Sequence, residues 1–276
     1  MNHANSPNIS VIVPFVPPFD EDLLDLTLFS LSGQNSVSLE IILQVSGSER
    51  QSVIATDIVG RQLFNKGLVR SLVIQQIQAY GMASWAQTWD SARGDYLCIL
   101  EPQSVLYPNA LSILVSEIEK SSFGYAVGGS KRSLFKRNGR LEPVHVLSKK
   151  EFPGIDYQQS DIFLQKKLSL SSCLLNRSKL TPNIFERSLD ENASQSYQLL
   201  LNLSVEAKGS ISKSNKSISE IYLERKDEYE RTEVFMGSLL RKQQAVISRF
   251  SRKFGFQIGK LRRFLVSSNK RLDVMR

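Results

Sequence analysis

Cysteine is almost absent from this chain of 276 residues, and the little there is forms no pattern. Cys98 and Cys173 lie inside apolar runs with no CxxC and no Cys/His spacing, which excludes a zinc ribbon and a disulfide framework and leaves two buried thiols. Histidine is as scarce: His145 stands in a polar stretch with no second base or ligand beside it in sequence, so it is given no catalytic role. No stretch approaches the roughly 18–20 apolar residues of a membrane span. The opening MNHANSPNIS has no basic segment followed by an apolar one, the mark of a secretory leader. These absences imply a cytoplasmic protein, with peripheral contact the form of membrane association left open.

What is present is unevenly placed. Residues 241–276 hold 11 Lys or Arg against a single acid, Asp273; out of totals of 35 bases and 27 acids, this leaves 24 against 26 in the rest of the chain. The body is nearly neutral, and the net charge of +8 resides in the tail. A domain with a uniformly basic nucleic-acid groove would not divide its charge this way. Nor do aromatic and basic residues interleave in the tail as a stacking groove requires, so nucleic acid is not an expected partner.

Hydrophobic period supplies the elements. Ile9 to Val13 is a continuous β-branched run ended by Pro14, which suits a strand buried on both faces. Leu23, Leu24, Leu26, Thr27, Leu28 and Leu31 then follow a helical period behind Asp20-Glu21-Asp22, acids that favour the positive end of a helix. Leu39 to Val45 predicts a second strand, with a loop from Gly47; Leu68 to Gln76 a third; and Met82 to Ala92 a helix stopped by Gly94. Tyr96 to Leu100 predicts a fourth strand, followed by a helix over Asn109 to Glu119. Alternation of this length implies a parallel sheet with crossover helices. Ligands of such sheets sit beyond the carboxyl ends of the strands, here Pro14 to Pro17, Ser46 to Glu49 and Glu101 to Ser104.

Three of these stretches, SVIVP at 10–14, EIILQVSGS at 40–48 and RGDYLCILEPQSVL at 93–106, resemble in order and spacing the nucleotide-sugar half of a family-2 glycosyltransferase. Glu40-Ile41-Ile42, Gly47-Ser48 and Ala92-Arg93-Gly94-Asp95-Tyr96 match the family pattern. Val45-Ser46 stand where its paired aspartates would be, and Glu101-Pro102-Gln103-Ser104 replaces its acidic metal motif. Leu170 to Arg177, Phe185 and a helix over Tyr197 to Leu203 resemble the acceptor half. The family's catalytic Glu-Asp falls on Gln195-Ser196 when aligned from Leu199, or on Ala193-Ser194 when aligned from Phe185. The resemblance spans about residues 8–210.

It implies an α/β fold of GT-A type, a mostly parallel Rossmann-like sheet flanked by helices. Residues 8–120 would form the nucleotide-sugar half, 121–210 the acceptor half, and 211–276 a basic amphipathic helical tail. It also implies a UDP-sugar or GDP-sugar donor, a glycan or lipid-linked acceptor, and Mg or Mn held by Glu101 with Gln103. Pro14, Phe15, Val16, Ser46, Gly47 and Gly81 would hold the nucleotide, and Asp190 or Glu191 would be the base that an acceptor hydroxyl needs. The losses equally suit a catalytically inactive homologue that binds a partner or a membrane.

Several residues read two ways. Glu101 suits a solvated strand-end acid as well as a ligand, and Asp190-Glu191 suits a helix N-terminal acidic cluster. Trp85 and Trp89, four apart, suit packing against the sheet or a sugar-stacking platform. Residues 128–160 suggest a long loop or hairpin whose Lys131, Arg132, Lys136, Arg137 and Arg140 are solvated charges or an attraction for diphosphate. In the tail, Leu240, Ile247, Phe250, Phe254, Ile258, Leu261 and Leu265 form one helical stripe with the bases largely off it. Over 240–265 that pattern suits an anionic membrane surface, or a helix packed on the body or on a partner.

Overall fold

The computed structural model describes residues 8–17, 19–63, 69–101, 104–136, 145–152, 169–186, 195–206, 209–211 and 217–223. All of these belong to one compact unit made of 1–187 and 194–224; the second unit, 188–193 with 225–276, lies outside the described residues, and with it the predicted tail helix.

The first unit is built on a seven-stranded sheet. Its strands are β1 (Asn8–Phe15), β2 (Ser38–Ser46), β3 (Val69–Ile77), β4 (Tyr96–Ile99), β6 (Tyr125–Val127), β9 (Cys173–Asn176) and β10 (Gly209–Ile211), in the order β10-β6-β9-β4-β1-β2-β3. Every neighbouring pair is parallel except those made by β9, which runs antiparallel to both β4 and β6. The expected mostly parallel α/β sheet is therefore what the chain forms. Its β-branched runs are buried on both faces, as sheets covered by crossover helices require: β2 is buried at all nine positions.

Two apolar clusters fill the two faces. On one, Val11, Val13, Ile41 and Leu43 meet α1 (Glu21–Ser32), α2 (Glu49–Leu63) and α4 (Ala110–Ser121) through Leu28, Ile58 and Leu114. On the other, Ile12, Ile42 and Leu97 meet α3 (Met82–Ser91), α5 (Asn183–Glu186) and α6 (Gln195–Glu206) through Trp85, Ile184 and Leu199. The carboxylate of Asp20 caps α1, accepting from the Leu23 N–H at 3.0 Å, as the acidic run there led one to expect. Trp85 and Trp89 belong to the second cluster, at 1% and 5% exposure, so they are core side chains and not a sugar platform.

One element differs from expectation, and for another the structure selects between the expected alternatives. The predicted loop after Gly47 gives way at once to α2, whose apolar residues Ile54, Ala55, Ile58 and Val59 are spread among polar ones and form only a narrow stripe. The segment read as a loop or hairpin is a hairpin of β7 (Gly129–Lys136) and β8 (His145–Phe152). These strands join β5 (Ser104–Leu106) and β11 (Ser217–Leu223) in a second sheet of order β5-β11-β7-β8. Its centre is polar: buried Glu220 of β11 accepts hydrogen bonds from the hydroxyls of Tyr107 and Ser133. Strand structure thus continues past residue 210.

Candidate functional site

Chain order reverses around β1, since β2 and β3 lie to one side of it and β4 to the other. This makes the carboxyl ends of β1 and β4 a topological switch point, where open α/β sheets bind ligands. Phe15, Val16, Leu100 and Glu101 stand there. Ser46 and Gly47 continue the rim along β2, and Tyr80 and Gly81 along the exit of β3.

Along β1 and β2 the rim is shaped by backbone. Phe15 is buried on the α1 face, and its ring meets that of Phe19 edge to face, with centroids 5.4 Å apart. Phe19 donates its N–H to the Val16 carbonyl at 2.9 Å and holds a φ of 50°, a strained conformation for a bulky side chain. Its ring reaches over the β2 end, where a β-carbon on Gly47, at φ 135°, would meet it at 3.0 Å. Beyond Gly47, the Gln51 carboxamide oxygen accepts from the N–H of Ser48 at 3.0 Å and from its hydroxyl. Where the resemblance calls for acids, this rim presents Ser46, Gln51 and an aromatic ring.

At the β4 end, Glu101 is neither a free strand-end acid nor part of an acidic cluster. One carboxylate oxygen accepts from the Ser169 hydroxyl at 2.5 Å and the Leu170 N–H at 3.0 Å, capping the short 3-10 turn Leu170–Ser172. The Glu101 N–H in turn donates to Ser171 Oγ at 2.7 Å, and that hydroxyl reaches Ser104 Oγ at 2.9 Å. Tyr80 donates its hydroxyl to the Leu100 carbonyl beside them. Burial raises the Tyr80 phenol well above its usual range, a shift opposed by the neighbouring Trp85 indole and reinforced by the negative charge of Glu101, so Tyr80 stays a neutral donor.

These residues do not fit a divalent cation. Mg and Mn need several oxygen ligands in a fixed shell, and Glu101 offers one carboxylate already engaged on one side. Among the described residues no group of three or more acidic, His or Cys side chains is placed to hold a metal. Gln103, the second expected ligand, lies outside the described residues, as do Asp190 and Glu191.

The acceptor side contributes a contact that spacing alone could not show. Gln195, first residue of α6, turns its carboxamide oxygen onto the start of α3, accepting from the Met82 N–H at 2.5 Å. Gly81 makes room for it: its φ is 154°, and a β-carbon there would stand 1.5 Å from that oxygen. Of the two alignments of the family's Glu-Asp, the one on Gln195-Ser196 thus reaches the rim among the described residues, and it brings a neutral amide. The only hint in sequence was Gly81 ahead of a helix. Nothing marked Phe19, Gln51, Tyr80 or Ser169, whose roles depend on chain crossings.

The opposite end of the sheet accounts for two of the three motifs that match. Glu40 is buried, at 6% exposure, and accepts from the Ser10 hydroxyl, the Arg93 N–H at 2.7 Å and the Ser71 hydroxyl at 3.3 Å. Ser10 Oγ accepts the Gly94 N–H at 2.8 Å, and the Arg177 guanidinium donates to the Gly94 and Trp89 carbonyls at 2.7 Å each. Glu-Ile-Ile and Ala-Arg-Gly-Asp-Tyr are therefore two halves of one buried bracket that fixes β4 against β1 and β2.

No protein-family model matches the chain, and no curated protein does. Among solved structures, S. aureus TarS residues 1–349 in complex with UDP-GlcNAc superposes with a TM-score of 0.53 at 14% identity, over 79% of this chain and 59% of that one. The same TarS fragment without a named ligand gives 0.53 at 14% identity, over 91% and 72%. The mannosyltransferase PcManGT of Pyrobaculum calidifontis, in complex with GDP-Man and Mn2+, gives 0.54 at 12% identity, over 90% and 66%. The chain spans about three fifths of the first of these. At identities this low the likeness establishes a fold shared with these proteins.

Proposed function

We propose that this chain binds a nucleoside diphosphate sugar, UDP- or GDP-linked, at the switch point between β1 and β4, and transfers the sugar to a saccharide or lipid-linked acceptor in the manner of family-2 glycosyltransferases. The observation that supports this reading is the reversal of strand order at β1, which makes the carboxyl ends of β1 and β4 a switch point in a sheet whose fold is shared with TarS and PcManGT. Pro14 to Val16, Ser46, Gly47 and Gly81 would border the nucleotide. Asp190 or Glu191 would take the proton of the acceptor hydroxyl as its oxygen attacks the anomeric carbon and the bond to the diphosphate breaks. Because Glu101 is engaged by Ser169 and Leu170, no step is assigned to Mg or Mn.

A second reading is favoured by a specific observation. In one of the two alignments the amide of Gln195 stands where the resemblance calls for an acid, which suits a catalytically inactive homologue that acts through a partner or a membrane surface. Calorimetric titration with UDP and GDP, each with and without Mn, followed by assay for nucleotide release with an acceptor panel, separates the readings. Nucleotide binding indifferent to Mn, with turnover lost in the joint Asp190→Asn and Glu191→Gln variant, is the expected result. Turnover with any acceptor sinks the second reading, whereas absence of binding to either nucleotide, or binding without turnover, sinks the first and selects the second. Peripheral contact through 240–265 is proposed on its charge and periodicity alone. No described helix is long and apolar enough to cross a membrane, and anionic vesicles that fail to sediment the full chain would dismiss the contact.

A further inference from the structure

β3 ends the seven-stranded sheet, and no described strand pairs with its outer edge. Such edges are ordinarily blunted by lysine, proline, an inward charge or a short strand, because an unpaired row of N–H and C=O groups recruits another strand. This one runs nine residues, VRSLVIQQI, without proline, lysine or acid, and its one irregularity against β2, between Val69 and Ser71, lies at its start and leaves 71–77 in regular register. The described residues leave four large hydrophobic side chains exposed, and two of them are consecutive here: Val73 at 37% and Ile74 at 38%.

We infer that the β3 edge is the interface of a symmetric homodimer, in which β3 pairs antiparallel with β3 of a second copy about a two-fold axis at Val73. The strand is complementary to itself in that register. Over the regular run Val73 falls opposite Val73, Leu72 opposite Ile74 and Ser71 opposite Gln75, so no charge meets a like charge. Faces match as well. From Ser71 onward odd positions lie on the α3 side, where Ser71 bonds Glu40 and Gln75 accepts from Thr88; even positions lie on the α2 side, where Gln76 bonds Ser52 and Leu72 joins the core. Pairing positions of equal parity puts Val73 on Val73 across one face of the joint and Leu72 with Ile74 across the other. The result is one continuous sheet of fourteen strands, within the size open sheets reach. A strand edge calls for a strand, and the remaining chain with strong periodicity, 240–265, has the spacing of a helix, so a second copy fits this edge better than the chain's own tail. The inference does not depend on the proposed activity.

Sedimentation velocity of the full-length chain over a concentration series, with Val73→Lys and Val73→Cys alongside, tests it. The expected result is a wild-type dimer, a monomeric V73K with unchanged circular dichroism, and a V73C that forms a reducible covalent dimer under mild oxidation. Opposed residues in an antiparallel pair lie about 4.5–5.5 Å apart between Cα atoms, within disulfide range. Both native cysteines are buried, so the wild type serves as the uncrosslinked control. A monomeric wild type, or a V73K dimer as stable as wild type, overturns the proposal. Should V73K misfold, V73C decides: failure to crosslink overturns the paired register.

Discussion

The two ends of the central sheet are built on opposite terms. At the amino end of the strands a carboxylate, Glu40, is buried and meets hydroxyl and backbone donors from β1, β3 and the turn before β4. At the carboxyl end the residues are neutral or already engaged: Gln195 lies on α3, Glu101 on the Ser169 turn, and the Phe19 ring over Gly47. Two of the three motifs that match the glycosyltransferase pattern lie at the first end, while at the second Gly47-Ser48 is kept and the acidic residues are replaced. The first end holds strands together and the second would meet substrate, so a chain can keep the fold of a family while its chemistry departs.

The contrast can be broken at its strongest point. Glu40→Ala leaves the Ser10 hydroxyl and the Arg93 N–H without their acceptor in a buried site, and should cost about 3–5 kcal/mol in denaturant unfolding. Glu40→Gln, which can still accept, should cost less than half of that. If Glu40→Ala unfolds at the wild-type midpoint, the bracket does not hold the fold.

Alkaline pH probes the core between the two ends. Burial pushes the Cys98 thiol from an ordinary value of 9.0 up to about 12, and burial with the neighbouring Cys98 pushes Cys173 higher still. A thiol that ionises more readily unfolded than folded contributes stability fully below pH 9 and loses it as pH climbs toward 12. Stability should therefore fall across that window, by up to roughly 3–4 kcal/mol from Cys98 alone. Cys98→Ala should flatten the slope in a series of denaturation curves, and an unchanged slope would show that the thiol ionises equally in both states.

How much could be read beforehand follows the same divide. β1, β2, β3 and β4 were legible because strands buried on both faces write themselves as unbroken apolar runs. α2 was not, since among its described side chains only Ala55, Ile58 and Val59 are fully buried, and they are set among polar residues with Val53 exposed. The second sheet was obscured because β7 and β8 read as a Lys- and Arg-rich segment and β11 arrives more than eighty residues after β7 begins. In the cleft, the absence of acids at 45–46 was plain from the sequence. That Gln195 and Ser169 come to the rim was not, because each contact joins residues 68 or more apart and depends on how the chain crosses the sheet.

The junction of Gly81 and Gln195 sharpens the contrast on the cleft side. Gly81→Ala demands a positive φ from a residue with a β-carbon and drives that carbon into the Gln195 amide, so about 2–3 kcal/mol should be lost. Trimming the partner as well, in the double variant with Gln195→Gly, should recover the part due to collision and leave roughly 1 kcal/mol of backbone strain, a coupling that a double-mutant cycle measures directly. Strict additivity would mean that the two residues do not meet.

The smallest expected effect separates a structural cleft from a chemical one. Glu101 is half-buried, so in Glu101→Ala water can replace its carboxylate at the Ser169 hydroxyl and the Leu170 N–H, and the loss of stability should be about 1 kcal/mol or less. Nucleotide affinity in that variant, measured with and without Mn, should match wild type, because a carboxylate spent on a turn contributes little to a diphosphate site. A variant that folds normally yet loses a Mn-dependent share of binding would show that Glu101 leaves Ser169 to meet a cation when donor arrives. The two ends of the sheet would then differ in when their acids are engaged, and the cleft would have to be counted among metal-assisted sites.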